Sequence, residues 1–168
     1  MSVVEETAYV ALGSNLADPR HQVEQALREL DCITETTVTA HSPLYLTPPL
    51  GPPGQADYVN AVARLRTRLE PLALLDALQA IEAAHARVRG EHWGPRTLDL
   101  DLLLFGERSV EHPRLRVPHA EMHRRAFVLV PLYDIDPDLT IPGHGALHAL
   151  VQTSDRAGMR RLAEGDDD

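Results

Sequence analysis

Asp99 and Asp101 stand one residue apart in the run Thr97-Leu98-Asp99-Leu100-Asp101-Leu102-Leu103-Leu104-Phe105. On an extended strand, alternate side chains share a face and lie roughly 6.6 Å apart, so both carboxylates face one way and Leu98, Leu100 and Leu102 the other. Hard divalent cations take oxygen ligands. Two-ion phosphoryl sites hold their metals about 3.5–4 Å apart, which two such carboxylates plus phosphate oxygens can do. A merely polar strand face explains the pair poorly, because aspartates are weak strand formers and two on one face repel.

The arginines just upstream fit the same chemistry. Arg87, Arg89 and Arg96 flank a Gly-Glu-His-Trp-Gly-Pro segment that leads straight into the aspartate strand. Guanidinium groups match phosphate oxygens bidentately, and fixed positive charge is what a phosphoryl-transfer transition state requires. The glycines at either end suggest a loop able to swing and lock, with Trp93, the single tryptophan, on that lid. The alternative is a solvated arginine-rich loop.

Three further groups carry weaker signals. Glu82 follows Leu75 by seven residues and Leu78 by four, so it falls on the apolar face of a helix. A buried carboxylate needs a partner, which is either a ligand, with Gln79 assisting, or an arginine. Tyr58 and Asn60 share one face of a strand, where a ring and an amide could seat a flat heterocycle; a core-edge tyrosine and a strand-end asparagine would look the same. His119 and His123 have helical spacing in His-Ala-Glu-Met-His, but the glutamate is misplaced for a zinc-protease motif.

The elements that must position these residues are legible in the pattern. Thr7–Leu12 is an apolar strand ending at Gly13-Ser14-Asn15, and Asp18-Pro19 opens a helix bearing Val23, Ala26, Leu27 and Leu30. A second strand is expected over Thr34–Leu46, then a proline-rich turn at 47–57. Val59, Ala61, Ala63 and Leu65 alternate along a third strand from Tyr58 to Leu69. Pro71 opens a second helix to about His85, Thr97–Phe105 is the fourth strand, and a helical segment is expected near Arg124–Leu132. The order is β-α-β-β-α-β, the ferredoxin-like unit. It predicts an α+β sandwich with helices on one face of an antiparallel sheet and a C-terminal helical extension. Residues 7–152 are expected as one domain, with 1–6 a flexible tail and 153–168 an acidic C-terminal tail.

Composition narrows the function. The 168 residues carry a net charge of −9, against a general nucleic-acid binder. All 16 basic residues are arginine, which removes lysine Schiff-base chemistry and the P-loop lysine. Half of them lie between Ala86 and Phe127, so positive charge is concentrated against an acidic background, as at a local anion site. One cysteine, Cys32, excludes an internal disulfide framework. No apolar run reaches the roughly 20 residues of a membrane span, and the N-terminus lacks the regions of a signal peptide, so the cytoplasm is the expected compartment.

Three segments together resemble the 6-hydroxymethyl-7,8-dihydropterin pyrophosphokinases of folate biosynthesis. They are YVALGSNL, SPLYLTPPLGPPGQADYVNAV, and RVRGEHWGPRTLDLDLLLF followed by RLRVPHAEMHRRAFVLVPL. The resemblance implies a ferredoxin-like fold and transfer of pyrophosphate from ATP to the pterin hydroxymethyl group, leaving AMP. It implies that Asp99 and Asp101 hold two Mg²⁺ ions, and that Arg87 and Arg96 contact the triphosphate and assist transfer. Arg89 and Trp93 match the mobile loop that closes over ATP. Gln79, Glu82, Leu102, Arg114, His119 and Arg125 match nucleotide contacts. Thr47, Pro48 and Leu50 match a loop lending backbone groups to the pterin, Asn60 its amide contact, and Tyr58 and Phe127 its two stacking rings. Ala86, His92, Arg116 and Ala120 depart from the family's usual residues around ATP. A monomer acting on pterin and ATP, without nucleic acid or membrane, is the expected assembly.

Two other readings compete. An RNA-binding module would share the β-α-β-β-α-β order, but aspartates on the sheet face repel phosphate in the absence of metal. Another Mg²⁺-dependent phosphoryl-transfer enzyme, acting on a small alcohol or nucleotide, would use the same aspartates and arginines. Only the segment from Thr47 to Asn60 separates it from the pterin enzyme.

Overall fold

The computed structural model describes residues 4–16, 18–48, 57–89 and 97–162, with 87–89 described by backbone alone. In chain order the elements are β1 (Glu6–Ser14), α1 (Pro19–Leu30), β2 (Thr36–His41), β3 (Tyr45–Thr47), β4 (Tyr58–Thr67), α2 (Pro71–Arg89), β5 (Asp99–Phe105), β6 (Val110–His112) and β7 (Leu115–Val117). A short 3₁₀ turn (Met122–Arg124) leads into α3 (Ala126–Ile135), followed by β8 (Thr140–Ile141), β9 (Gly145–Ala146), α4 (Leu147–Thr153) and β10 (Arg160–Arg161).

The main sheet runs β10-β3-β4-β1-β5, with β2 also paired to β4, and every pairing is antiparallel. This is the strand arrangement of a ferredoxin-like sandwich. The expected second strand is two strands. Pro43 has no N–H for the ladder, so the run breaks at 42–44. Ser42 repairs the gap: its N–H donates to the Val62 carbonyl at 2.9 Å, and its Oγ accepts from the Val62 N–H at 3.0 Å.

Both faces of the sheet carry helices. On one face Val10, Leu12, Val59, Ala61, Ala63, Leu65, Leu100, Leu102 and Phe105 pack against Val23, Ala26 and Leu30 of α1 and Leu74, Leu75 and Leu78 of α2. His85 of α2, buried at 6% exposure, ties the two helices through Gln22 and Glu29 of α1, each at 2.5 Å. On the other face Tyr9, Ala11, Val62, Leu103 and Leu104 meet Val128, Leu129 and Leu132 of α3. The expected helical extension is therefore a partial second cover, so helices do not lie on one face alone. The Tyr45 hydroxyl donates to Asp134 and the Tyr9 hydroxyl to Asp136, which also pairs with Arg64 at 2.9 Å. These contacts fasten the C-terminal end of α3 to the sheet and leave one end of that face open.

Two boundaries differ from the sequence expectation. Helix α2 continues to Arg89, so Arg87 and Arg89 sit on its last turn rather than in a loop. The segment 153–168 is expected as an acidic tail. Its described part instead adds β10 beside β3, and Leu162 is buried in the core, its N–H donating to the Leu44 carbonyl at 2.8 Å. The free edge of β3 offers ladder partners to Arg160 and Arg161, and Leu162 adds apolar burial.

Candidate functional site

The open end of the sheet is a built cleft. Strand β1 places Gly13 directly opposite Asn60 of β4 on one side and Asp99 of β5 on the other. Two residues along, Ala11 stands between Val62 and Asp101. Directly opposed residues share a face, so Asn60, Gly13, Asp99, Ala11 and Asp101 lie on the uncovered side together. The small residues form a floor with a polar side chain at each wall.

Thr47, Pro48, Tyr58, Arg125 and Phe127 complete the lining of this cleft, whose volume is about 200 Å³. Tyr58 comes from the start of β4 and Phe127 from the first turn of α3. Burial and the neighbouring Asp99 charge push the Tyr58 phenol above its ordinary value. The Arg125 guanidinium carbon lies 5.7 Å from the Phe127 ring centroid, a cation–π distance.

A second cleft of about 320 Å³ lies across β5. It is lined by Gln79, Glu82, Asp101, Leu102, Arg114, Arg116, His119 and Ala120 together with Leu75, Leu100 and Leu115. Asp101 lines both clefts. Arg114 reaches over from the β6–β7 turn and donates to Asp76 at 2.6 Å and Gln79 at 3.0 Å.

Glu82 Oε2 accepts from the Leu100 backbone N–H at 2.8 Å. Strand β5 is a sheet edge, and an uncapped N–H there would go unpaired. The carboxylate thus closes the edge at the residue between the two aspartates. His119 accepts at Nδ1 from the Glu121 N–H at 3.1 Å, while His123 stacks on His144 with centroids 4.0 Å apart. The two histidines are engaged separately.

Thr47, Pro48, Tyr58, Asn60 and Phe127 thus converge on the first cleft, and Gln79, Glu82, Leu102, Arg114 and His119 on the second. Arg125, expected with the nucleotide contacts, lines the first cleft beside the aspartates. Leu50, Trp93 and Arg96 lie outside the described residues, as do the side chains of Arg87 and Arg89.

Sequence reasoning missed Ala11, Gly13 and Ser14. The signal for Gly13 was a glycine continuing an apolar strand, which marks a close approach. A Cβ there would meet Asn60 Nδ2 at 2.8 Å. Ser14 is 1% exposed and donates through Oγ to the Thr97 carbonyl at 2.5 Å, anchoring the chain two residues before Asp99.

The donor chemistry fits divalent magnesium. Among the described residues no group of three or more histidine, cysteine or acidic side chains gathers around a metal position. Mg²⁺ is ordinarily held by one or two carboxylates, with water and substrate phosphates filling the rest of its shell. An aspartate pair beside a cleft that bears arginine fits that arrangement.

Known proteins resemble this chain in sequence and in fold. The family model described as 7,8-dihydro-6-hydroxymethylpterin-pyrophosphokinase matches residues 9–137. A Pseudomonas aeruginosa protein named 2-amino-4-hydroxy-6-hydroxymethyldihydropteridine pyrophosphokinase is 54% identical over 157 residues, covering 94% of this chain and 97% of its own. A Haemophilus influenzae protein of the same name is 49% identical over 146 residues, covering 87% and 91%. Among solved structures, an HPPK-DHPS in complex with substrates superposes with a TM-score of 0.75 at 13% identity, over 94% of this chain and 46% of that one. Plasmodium falciparum wild-type HPPK-DHPS gives 0.67 at 14% identity, over 93% and 47%. At such identities these two show the fold, and the chain spans about half of each.

Proposed function

This chain belongs to the 7,8-dihydro-6-hydroxymethylpterin-pyrophosphokinase family, and from that membership we propose how its two clefts divide the reaction. The enzyme transfers pyrophosphate from ATP to 6-hydroxymethyl-7,8-dihydropterin, a step of folate biosynthesis. One observation carries the division of labour: Asp101 lines both the ring-and-amide cleft and the arginine-bearing cleft. Whatever binds the two must meet at the aspartate pair.

The pterin occupies the first cleft, between the Tyr58 and Phe127 rings and against the Asn60 amide, with the backbone at Thr47, Pro48 and Leu50 reading its edge. ATP occupies the second, held by Gln79, Glu82, Leu102, Arg114 and His119. Asp99 and Asp101 hold two Mg²⁺ ions. When bound, these ions offset the triphosphate charge and polarise the phosphorus under attack.

The pterin hydroxyl oxygen bonds to the β-phosphorus, the bridge between the α and β phosphoryl groups breaks, and AMP leaves. Arg87 and Arg96, and Arg125 beside the aspartates, stabilise negative charge spreading over the phosphate oxygens. Among the described lining residues of the first cleft, the only carboxylates are Asp99 and Asp101, and no imidazole is present. Since Asp99 and Asp101 would hold the cations, neither serves as a free base; positioning supplies most of the acceleration and the hydroxyl proton passes to solvent. Arg89 and Trp93 close over the nucleotide and exclude water, which suppresses ATP hydrolysis.

We further propose a monomer working in the cytoplasm. Among the described residues no helix is long and apolar enough to cross a membrane.

Product identity tests the reading. Purified protein is mixed with Mg²⁺, ATP and the pterin, with a pterin-free control, and nucleotides are separated by chromatography. AMP formed only with pterin is the expected result. ADP instead would show attack at the γ-phosphorus and overturn the assigned regiochemistry.

A further inference from the structure

The Asn60 amide is held from three sides before any ligand arrives. Thr47 Oγ1 donates to Asn60 Oδ1 at 2.6 Å, and Asn60 Nδ2 faces the Leu12 carbonyl at 3.4 Å. Gly13 leaves room for that Nδ2 where any Cβ would stand 2.8 Å from it. Thr47 is 3% exposed and Asn60 7%, so their contact is shielded from water. Reversing the amide would set its oxygen against the Leu12 carbonyl, two acceptors face to face.

We propose that the Thr47 hydroxyl is a positioning group that sets the pterin selectivity of this site by locking the Asn60 amide in one orientation. This inference rests on the reading of the first cleft as the pterin pocket. An amide has two N–H donors and two oxygen lone pairs. With Leu12 facing one donor and Thr47 using one lone pair, Asn60 presents a single N–H and a single lone pair side by side. That pattern complements a heterocycle edge with an acceptor next to a donor, as a pterin has. Without the hydroxyl only the longer Leu12 contact, at 3.4 Å, opposes rotation of the amide, and discrimination weakens.

Strand geometry assigns the task to Thr47. Asn60 pairs directly with Tyr45 across β3 and β4, while Thr47 pairs with Tyr58, so Thr47 is the diagonal neighbour of Asn60. A short side chain spans that diagonal with a hydroxyl, and the same residue begins the segment that covers the ring.

The test compares Thr47→Val with Thr47→Ser. Valine keeps the volume and strand preference of threonine, so the fold is retained, and a thermal melt checks it. Dissociation constants are measured by titration for 6-hydroxymethyl-7,8-dihydropterin and separately for MgATP, on wild type and both variants. Expected are a rise of about tenfold in the pterin constant for Thr47→Val, within the cost of an unsatisfied buried acceptor, and recovery to within about threefold in Thr47→Ser. The MgATP constant should move by less than about twofold in both. Pterin binding to Thr47→Val within twofold of wild type overturns the lock, as does a Thr47→Ser loss equal to that of valine. Parallel loss of both ligands shows a general structural role and overturns it too. A wild-type protein that binds MgATP but no pterin overturns instead the assignment of the pocket, and the lock with it.

Discussion

Asn60 and Asp99 stand in one row across the sheet, with only Gly13 between them. Two strand spacings separate them, roughly 10 Å. A planar ligand held at the amide therefore lies over a bare glycine and directs its far end at the aspartates. The proposed recognition amide and the proposed metal-holding carboxylate are thus set by the ladder of three strands, not by loops.

Gly13→Ala should weaken pterin binding selectively. The new Cβ would press on Asn60 Nδ2 at 2.8 Å, and both sit in central strands that yield little. Overpacking of this kind costs about 1–3 kcal/mol. Steady-state kinetics should give a pterin KM raised about tenfold and an ATP KM changed less than about twofold. Equal rises in both would refute the row as a pterin floor.

Asp101→Asn should abolish most of the reaction because Asp101 borders both clefts. Turnover at saturating Mg²⁺ is expected to fall by about 10²–10³-fold, the scale seen when one preorganised electrostatic group is removed. Chelation of divalent ions should stop the wild-type enzyme and re-addition restore it. Near-normal turnover of the variant would remove Asp101 from the proposed metal site.

Glu82→Ala should cost stability as well as nucleotide affinity. The Leu100 N–H, which donates to the Glu82 carboxylate at 2.8 Å, would be left on an edge strand without that acceptor. A loss of about 1–3 kcal/mol is expected, read from urea unfolding. Glu82→Gln, which keeps an oxygen acceptor, should recover part of it. Identical unfolding midpoints for wild type and Glu82→Ala would show that the edge is closed by something else.

Alkaline stability should depend on Tyr45 and Tyr9. Burial first, then the bonds to Asp134 and Asp136, raise both phenols above the ordinary value of 10.0. The native state therefore keeps protons that the unfolded chain releases, so stability falls as pH rises. That contribution is fully present below pH 10 and fades above it as pH climbs towards the raised native values. Tyr45→Phe should flatten the slope of unfolding free energy between about pH 10 and 12. An unchanged slope would exclude Tyr45 as its source.

Much of this protein was decided locally. The period-two alternation of Val59, Ala61, Ala63 and Leu65 set which face of β4 meets α1 and α2, and therefore which face shows Tyr58 and Asn60. The spacing of Asp99 and Asp101 put both carboxylates on that same open side. Arginine concentrated between Ala86 and Phe127 marked the stretch proposed to meet phosphate. Periodicity and composition are properties of neighbours along the chain, so they survive without coordinates.

Tertiary structure alone decided what lies between those residues. Register made Gly13 the neighbour of both Asn60 and Asp99, brought Thr47 to the Asn60 amide, and set Glu82 under the Leu100 N–H. It also turned part of an expected tail into β10, since a two-residue strand forms only when an edge is there to receive it. Hydrogen-bond pairing across strands joins residues tens of positions apart, and nothing in a residue's own neighbourhood records its distant partner.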